Sequence, residues 1–237
     1  MNVLITGHSR GLGSALTDLH LSQGDHVFGV SRTKRPGDEA RLTQIVADFN
    51  DPAAAAAALA AHLAADIALE RVFLNAGVLG PIAALGETPL ATIREVMEIN
   101  VWANKAVLDW LLARPTTPVQ VVLMSSGASV SGNFGWGAYA LSKATLNMLT
   151  RLYAHEFPAS HLCALAPGLV ETSMQDEIAA QDAEAFPSLA RLQAARGTAN
   201  MPTPAIAAQR IVDALPRLRE FPSGSFVDMR EANPDHP

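Results

Sequence analysis

The sequence predicts a doubly wound α/β domain, with a parallel sheet of about seven strands and helices on both faces. Three observations carry that expectation. Runs such as "NVLITG", "RVFLNAG" and "LCALAPG" are largely apolar rather than alternating, as strands covered on both faces must be. Each run is followed by a stretch of helical character, which is how parallel strands are joined. A glycine-rich turn, "TGHSRGLG", closes the first run and opens the first helix.

In chain order, residues 2–7 read as strand, 11–24 as a helix ending at Gly24, 26–32 as strand and 44–49 as strand. Alanine, the strongest helix former, makes 52–65 a packed surface helix despite its low complexity. A strand at 71–77, a long helix at 91–114 and a strand at 119–126 follow. A helix from Tyr139 to about Phe157 leads to a strand at 162–168, a helix at 204–215 and a last strand at 223–229. No internal repeat is present, and the whole chain, 1–237, is expected to form one domain. Residues 171–204 are polar, helix-prone and broken by Pro187, Gly197 and Pro202. Placed after the carboxyl end of a strand, they are expected to form a helical lid over a substrate.

The 237 residues are 49% hydrophobic and 17% charged, ordinary values for a globular protein able to bury a sizeable core. The net charge of −6 and the lack of a basic stripe argue against nucleic acid as a partner. One cysteine, Cys163, excludes an intrachain disulfide and reads as core filler. No apolar stretch reaches the roughly 20 residues that span a bilayer. Met1 leads directly into the first strand, so a cytoplasmic protein without membrane partners is expected. The seven histidines lack ligand spacing, and no metal site is expected. No Gly-x-Ser-x-Gly elbow with triad partners appears, so a serine hydrolase is not expected.

In the first turn, Gly7 allows a tight bend, Gly11 admits a pyrophosphate close to the backbone and Gly13 lets helix and strand pack closely. The helix start offers N–H groups to phosphate. The spacing Gly-x-x-x-Gly-x-Gly, with Thr6 in front, resembles the short-chain dehydrogenase/reductase family. The resemblance continues in order along the chain: "NAG" at Asn75, Ala76 and Gly77, then Asn100, Ser126, Tyr139 and Lys143, then "PGLVET". It implies a Rossmann fold and a nicotinamide dinucleotide held by Gly7, Ser9, Arg10, Gly11, Leu12 and Gly13. Asn75 to Gly77, Tyr139, Lys143, Pro167, Gly168, Val170, Thr172 and Met174 would complete the dinucleotide site. Where family members that use NAD carry an acidic residue after the second strand, this chain has Ser31 and Arg32. A hydroxyl and a guanidinium suit a 2′-phosphate, and Arg10 adds a second cation, so the expected cofactor is NADP(H), with the basic cluster Arg32, Lys34 and Arg35 as a phosphate clamp. Asp48 matches the family's adenine-binding aspartate, or caps its own loop.

Residues four apart share a helical face, so Tyr139 and Lys143 can point into one cleft. A nearby ammonium is expected to draw the phenol's pKa down, making Tyr139 the proton donor to a carbonyl oxygen. Ser126 would polarise that oxygen, while Ser125 points to the other strand face. By resemblance, Lys143 also binds the nicotinamide ribose, and Asn100 holds a water linking Lys143 to solvent. Asn104, one turn later, reads as solvent-facing.

Phe134 and Trp136 would wall the substrate site, or simply pack their loop. "FGWGAYALSKATLNMLT", "PGLVETSMQ" and "FPSGSFVDMRE" resemble the branch containing sepiapterin reductase and bacterial benzil reductase. That implies NADPH-dependent reduction of a small-molecule ketone or vicinal diketone, aromatic or bulky. Met174, with Gln175 beside it, would line the pocket, and Asp228 would either anchor a pterin's guanidine-like edge or cap the last strand. The two long helices would pair into a homodimer or homotetramer. The alternatives are an NAD-dependent alcohol dehydrogenase, against which Ser31 and Arg32 speak, and a nucleotide-sensing protein without turnover, which would not need the phenol.

Overall fold

A computed structural model describes residues 1–37, 39–179, 186 and 188–232. Seven strands form one fully parallel sheet: β1 (Asn2–Thr6), β2 (His26–Ser31), β3 (Leu42–Val46), β4 (Arg71–Leu74), β5 (Gln120–Met124), β6 (His161–Ala166) and β7 (Ser225–Asp228). Their order across the sheet is β3-β2-β1-β4-β5-β6-β7. The winding therefore reverses between β1 and β4, which opens a crevice at the carboxyl ends of the strands.

Side-chain alternation along the strands builds two cores. Leu4, Leu74, Val121 and Leu123 face one side, under helices α2 (Pro52–His62), α4 (Ala103–Leu112) and α6 (Gly137–Ala154). Ile5, Phe73, Val122, Cys163 and Leu165 face the other, under α1 (Gly11–Ser22) and α9 (Pro204–Leu218). Cys163 is wholly buried, and burial pushes its thiol up to about 12, so it serves as a small apolar residue.

Local chemistry sets the helix ends. Asp51 accepts the Ala54 N–H at 3.0 Å with Pro52 at the first helical position, and Thr203 and Pro204 repeat the device for α9. That last helix runs past Pro216 to Leu218, beyond the expected end at Leu215. Leu218 is fully buried, and its packing holds the final turn. The helix expected at 91–114 is not uniform. It comprises α3 (Leu90–Met97), a π-helical turn at Glu98–Trp102, and α4. The short helices α5 (Ala128–Ser131), α7 (Ser173–Ala179), α8 (Ser188–Ala195) and α10 (Met229–Ala232) complete the described elements. Part of the stretch expected to form a lid, 180–185 and 187, lies outside the described residues, as does His236. Among the described residues, no helix is long and apolar enough to cross a membrane.

Candidate active site

A cleft of about 1370 Å³ follows the carboxyl edge of the sheet, lined by the loops after the strands. The glycine turn forms one wall. Gly7 has φ of +71°, and a Cβ there would lie 3.0 Å from Ala76 Cα and from Asn75 Nδ2. Gly13 lines no part of the cleft. A Cβ at that position would fall inside the Gly7 carbonyl oxygen, so Gly13 lets α1 start directly against β1. The first helix has no side-chain cap, which leaves its leading N–H groups directed at the cleft end where Ser9, Arg10, Gly11 and Leu12 lie. Thr6 Oγ1 accepts the N–H groups of Asn75 (2.9 Å) and Ala76 (3.0 Å), which fastens the turn after β4 to the end of β1.

These features fit a dinucleotide. Gly7 and Gly11, both at positive φ, present bare backbone to the cleft, the uncapped helix start offers phosphate donors, and Arg10, Ser31, Arg32 and Asp48 line the same cleft. Arg35 does not join them. Its guanidinium turns to Asp18 and the Ser14 carbonyl on α1, so of the cations expected to form a clamp only Arg10 and Arg32 line the cleft. Ser31 is nearly buried, and its hydroxyl is held between Thr33 O at 2.7 Å and His8 Nδ1 at 3.0 Å. Asp48 also caps its loop, accepting the Asn50 N–H at 3.0 Å. Ala76, Gly77, Pro167, Gly168, Val170, Thr172 and Met174 line the cleft.

Ser126, Tyr139 and Lys143 all reach the cleft. Tyr139 and Lys143 come from the first two turns of α6, and Ser126 lies two residues past β5. Lys143 Nζ donates to the Met124 carbonyl at 2.7 Å and lies 5.6 Å from the centre of the Tyr139 ring. Burial lowers the Lys143 amine from 10.5 to about 8. The expected acidification of Tyr139 by that ammonium is not found. Burial raises the phenol's pKa, and only a hydrogen bond with Ser126 opposes the rise. Ser125 also borders the cleft, but its hydroxyl donates to Asn147 Oδ1 at 2.5 Å.

Asn100 does not line the cleft. It is wholly buried in the π turn, where its Oδ1 accepts the Val78 N–H (2.8 Å) and its Nδ2 donates to Val78 O and Ser142 Oγ, both at 2.9 Å. Both amide protons are thereby used, and Oδ1 alone retains accepting capacity. That oxygen and Lys143 Nζ converge on the side of Gly77, where a Cβ would lie 3.1 and 3.4 Å from them. Asn104 is buried, not solvent-facing, and donates to the Asn100 carbonyl at 2.8 Å. The sequence reading missed Ser142, although its place three residues after Tyr139 puts it on the same side of α6.

Beyond Tyr139 the wall is apolar: Leu79, Trp136, Met174, Ile178 and Leu192 cluster there. Phe134 is not part of that wall. It is exposed and stacks on Phe186, with ring centres 5.7 Å apart. Asp228 lies at the cleft with its carboxylate bridged by the Arg230 guanidinium, at 2.9 Å from Nε and 2.6 Å from the terminal nitrogen. Among the described residues no group of three metal-ligating side chains comes together.

The short chain dehydrogenase family model matches residues 1–183. The chain belongs to that family. It is thus an oxidoreductase of a family that uses nicotinamide cofactors. It is 29% identical over 241 residues to a benzil reductase ((S)-benzoin forming) of Bacillus subtilis, covering 96% of this chain and 98% of that protein. It is also 32% identical to an uncharacterized oxidoreductase of Schizosaccharomyces pombe over 184 residues, 74% of this chain and 73% of that one. A crystal structure of a short chain dehydrogenase/reductase from Saccharomyces cerevisiae superimposes with a TM-score of 0.84 at 24% identity, covering 100% of this chain and 99% of the other.

Proposed function

We propose that this oxidoreductase is an NADPH-dependent reductase of aromatic or bulky ketones and vicinal diketones. The observation that carries the reading is Tyr139, paired with Ser126, facing a cavity end walled by Leu79, Trp136, Met174, Ile178 and Leu192. Such a wall accepts a large apolar carbonyl compound. The similarity to a benzil reductase, spanning nearly the full length of both chains, supports the same class.

The glycine turn, the start of α1, Asn75 to Gly77, residues 167–174 and Lys143 would hold the dinucleotide, with Arg10 and Arg32 on its 2′-phosphate. When bound, the reduced nicotinamide supplies the hydride that reduces a carbonyl carbon. Tyr139 then gives its proton to the carbonyl oxygen, and Ser126 donates a hydrogen bond to that oxygen. Burial raises the phenol's pKa, so Tyr139 carries at neutral pH the proton that a donor requires. Ser31 and Arg32, in place of an acidic side chain at the end of β2, support NADPH over the NAD-dependent alternative. Lys143 stays charged below about pH 8. A water held between its amine and Asn100 Oδ1 beside Gly77 would return the proton to Tyr139.

Asp228 favours diketones over pterins within this reading. Its two oxygens already face a guanidinium, in the manner a pterin's guanidine-like edge would require. The segment carrying α7 and α8, which contributes Ile178 and Leu192, would act as the lid. Trp102, Leu141, Met148 and Leu152 are exposed on the π turn and α6, which supports pairing with a second copy into a dimer or tetramer.

Loss of NADPH absorbance with benzil and a panel of aromatic ketones tests the reading. Turnover with NADPH well above that with NADH is expected. Intact NADPH binding without consumption by any carbonyl compound would overturn it in favour of a sensing role.

A further inference from the structure

His8 belongs to the glycine turn, yet its ring is wholly buried and lines no part of the cleft. The ring lies against Gly29 in the middle of β2, where any Cβ would overlap it. An isolated glycine in a central strand marks close approach by another group, and here that group is His8.

Both ring nitrogens are engaged. Nε2 is 3.0 Å from Gln44 Oε1, and Nδ1 is 3.0 Å from Ser31 Oγ. Gln44, in turn, brackets the backbone of Arg35: its Oε1 accepts the Arg35 N–H at 2.8 Å, and its Nε2 donates to Arg35 O at 3.2 Å. Since the Arg35 N–H fixes Oε1 as an acceptor, His8 Nε2 must carry the proton and donate. Nδ1 is then an acceptor, and it shares the single proton of the Ser31 hydroxyl with the Thr33 carbonyl. One buried ring thus anchors the loop after β2 at both ends, through Ser31 at its start and through Gln44 and Arg35 at its finish. Only Arg32, Thr33 and Lys34 lie between the anchors, and Arg32 and Thr33 face the cleft. The Arg35 guanidinium, fastened to Asp18 on α1, ties the far end again.

We propose that His8 is a positioning residue for dinucleotide selection, holding the loop 31–35 so that Arg32 stands where the 2′-phosphate of NADPH is received. The inference rests on the NADPH reading above. NADH has no phosphate at that position, so its binding does not depend on where Arg32 stands. A residue that touches neither cofactor would then distinguish between them.

Equilibrium dissociation constants for NADPH and NADH, measured by calorimetry on the full chain, test this. His8→Phe keeps a ring over Gly29 but removes both hydrogen bonds. It is expected to weaken NADPH about tenfold while leaving NADH within about twofold. Gln44→Leu should act the same way, and the double variant should show less than the combined effect, since both changes break one chain of contacts. Equal weakening of both cofactors, or no change for either, would overturn the proposal. Should His8→Phe fail to fold, the Gln44→Leu comparison decides on the same criteria. Arg32→Ala separates the two levels. If it weakens NADPH selectively and His8→Phe does not, the role of His8 falls alone; if Arg32→Ala affects both cofactors equally, the NADPH reading itself falls.

Discussion

Lys143→Met removes a buried amine whose ionisation the fold suppresses, and the effect on stability can be worked out from linkage. Burial holds the Lys143 amine at about 8, against 10.5 for a solvated lysine. Between those values the unfolded chain keeps a proton that the folded chain has released, so alkaline pH favours the folded parent. The slope is about 1.4 kcal/mol per pH unit, or about 3 kcal/mol across the window. The variant has nothing to titrate there. Its unfolding free energy minus that of the parent should therefore fall by about 3 kcal/mol between pH 8 and pH 10.5. That change is independent of the starting difference, which includes the lost bond to Met124 O. Urea unfolding of both proteins at several pH values gives the comparison. Parallel curves would show that the amine titrates as if solvated, and the account of a desolvated cation beside Tyr139 would be wrong.

Other expectations are as direct. Tyr139→Phe should bind NADPH as the parent does, yet lose about 10²- to 10⁴-fold in turnover, as single-turnover and binding measurements would show; near-parental turnover would remove Tyr139 as the acid. In the parent, reduction should slow as pH rises through about 8, where Lys143 loses its charge, and a rate flat to about pH 10 would contradict that. Gly13→Ala drives a methyl group into the Gly7 carbonyl and should cost about 2–4 kcal/mol of stability, read by urea unfolding. Burial holds His20 and His161 below 6.5, so each binds its proton more readily unfolded. Stability should therefore be complete above pH 6.5 and decline on acidification, and His161→Phe should flatten part of that decline.

Much of the architecture was legible because the strands announce themselves. Val121–Leu123 and Leu162–Leu165 are apolar on both faces, a pattern that only a sheet covered on both sides tolerates. Tyr139, Lys143 and Ser126 converge as their spacing on α6 and after β5 implies. The pKa of Tyr139 was not legible, because spacing reveals a neighbouring charge but not the loss of water that outweighs it. Asn104 was misread from its polar type alone. Four residues after Asn100, it falls on the same buried helix face as Val107, Leu108 and Leu111, and its amide is satisfied by the Asn100 carbonyl. Phe134 has the composition of a pocket residue, but its partner, Phe186, lies more than fifty positions later. The link between His8 and the loop after β2 left one trace in the sequence, the glycine at position 29.

The wider turn at Glu98–Trp102 makes that stretch of helix a counted spacer. Each residue added to or removed from an ordinary helix swings everything beyond it by about 100°. Loss of one residue between Met97 and Asn100 would carry the Asn100 amide away from the Val78 backbone, even if every remaining side chain were retained. Shortening by a single amino acid is therefore a harsher change here than most substitutions, because it would unseat the loop beside Gly77 while leaving the helix itself intact.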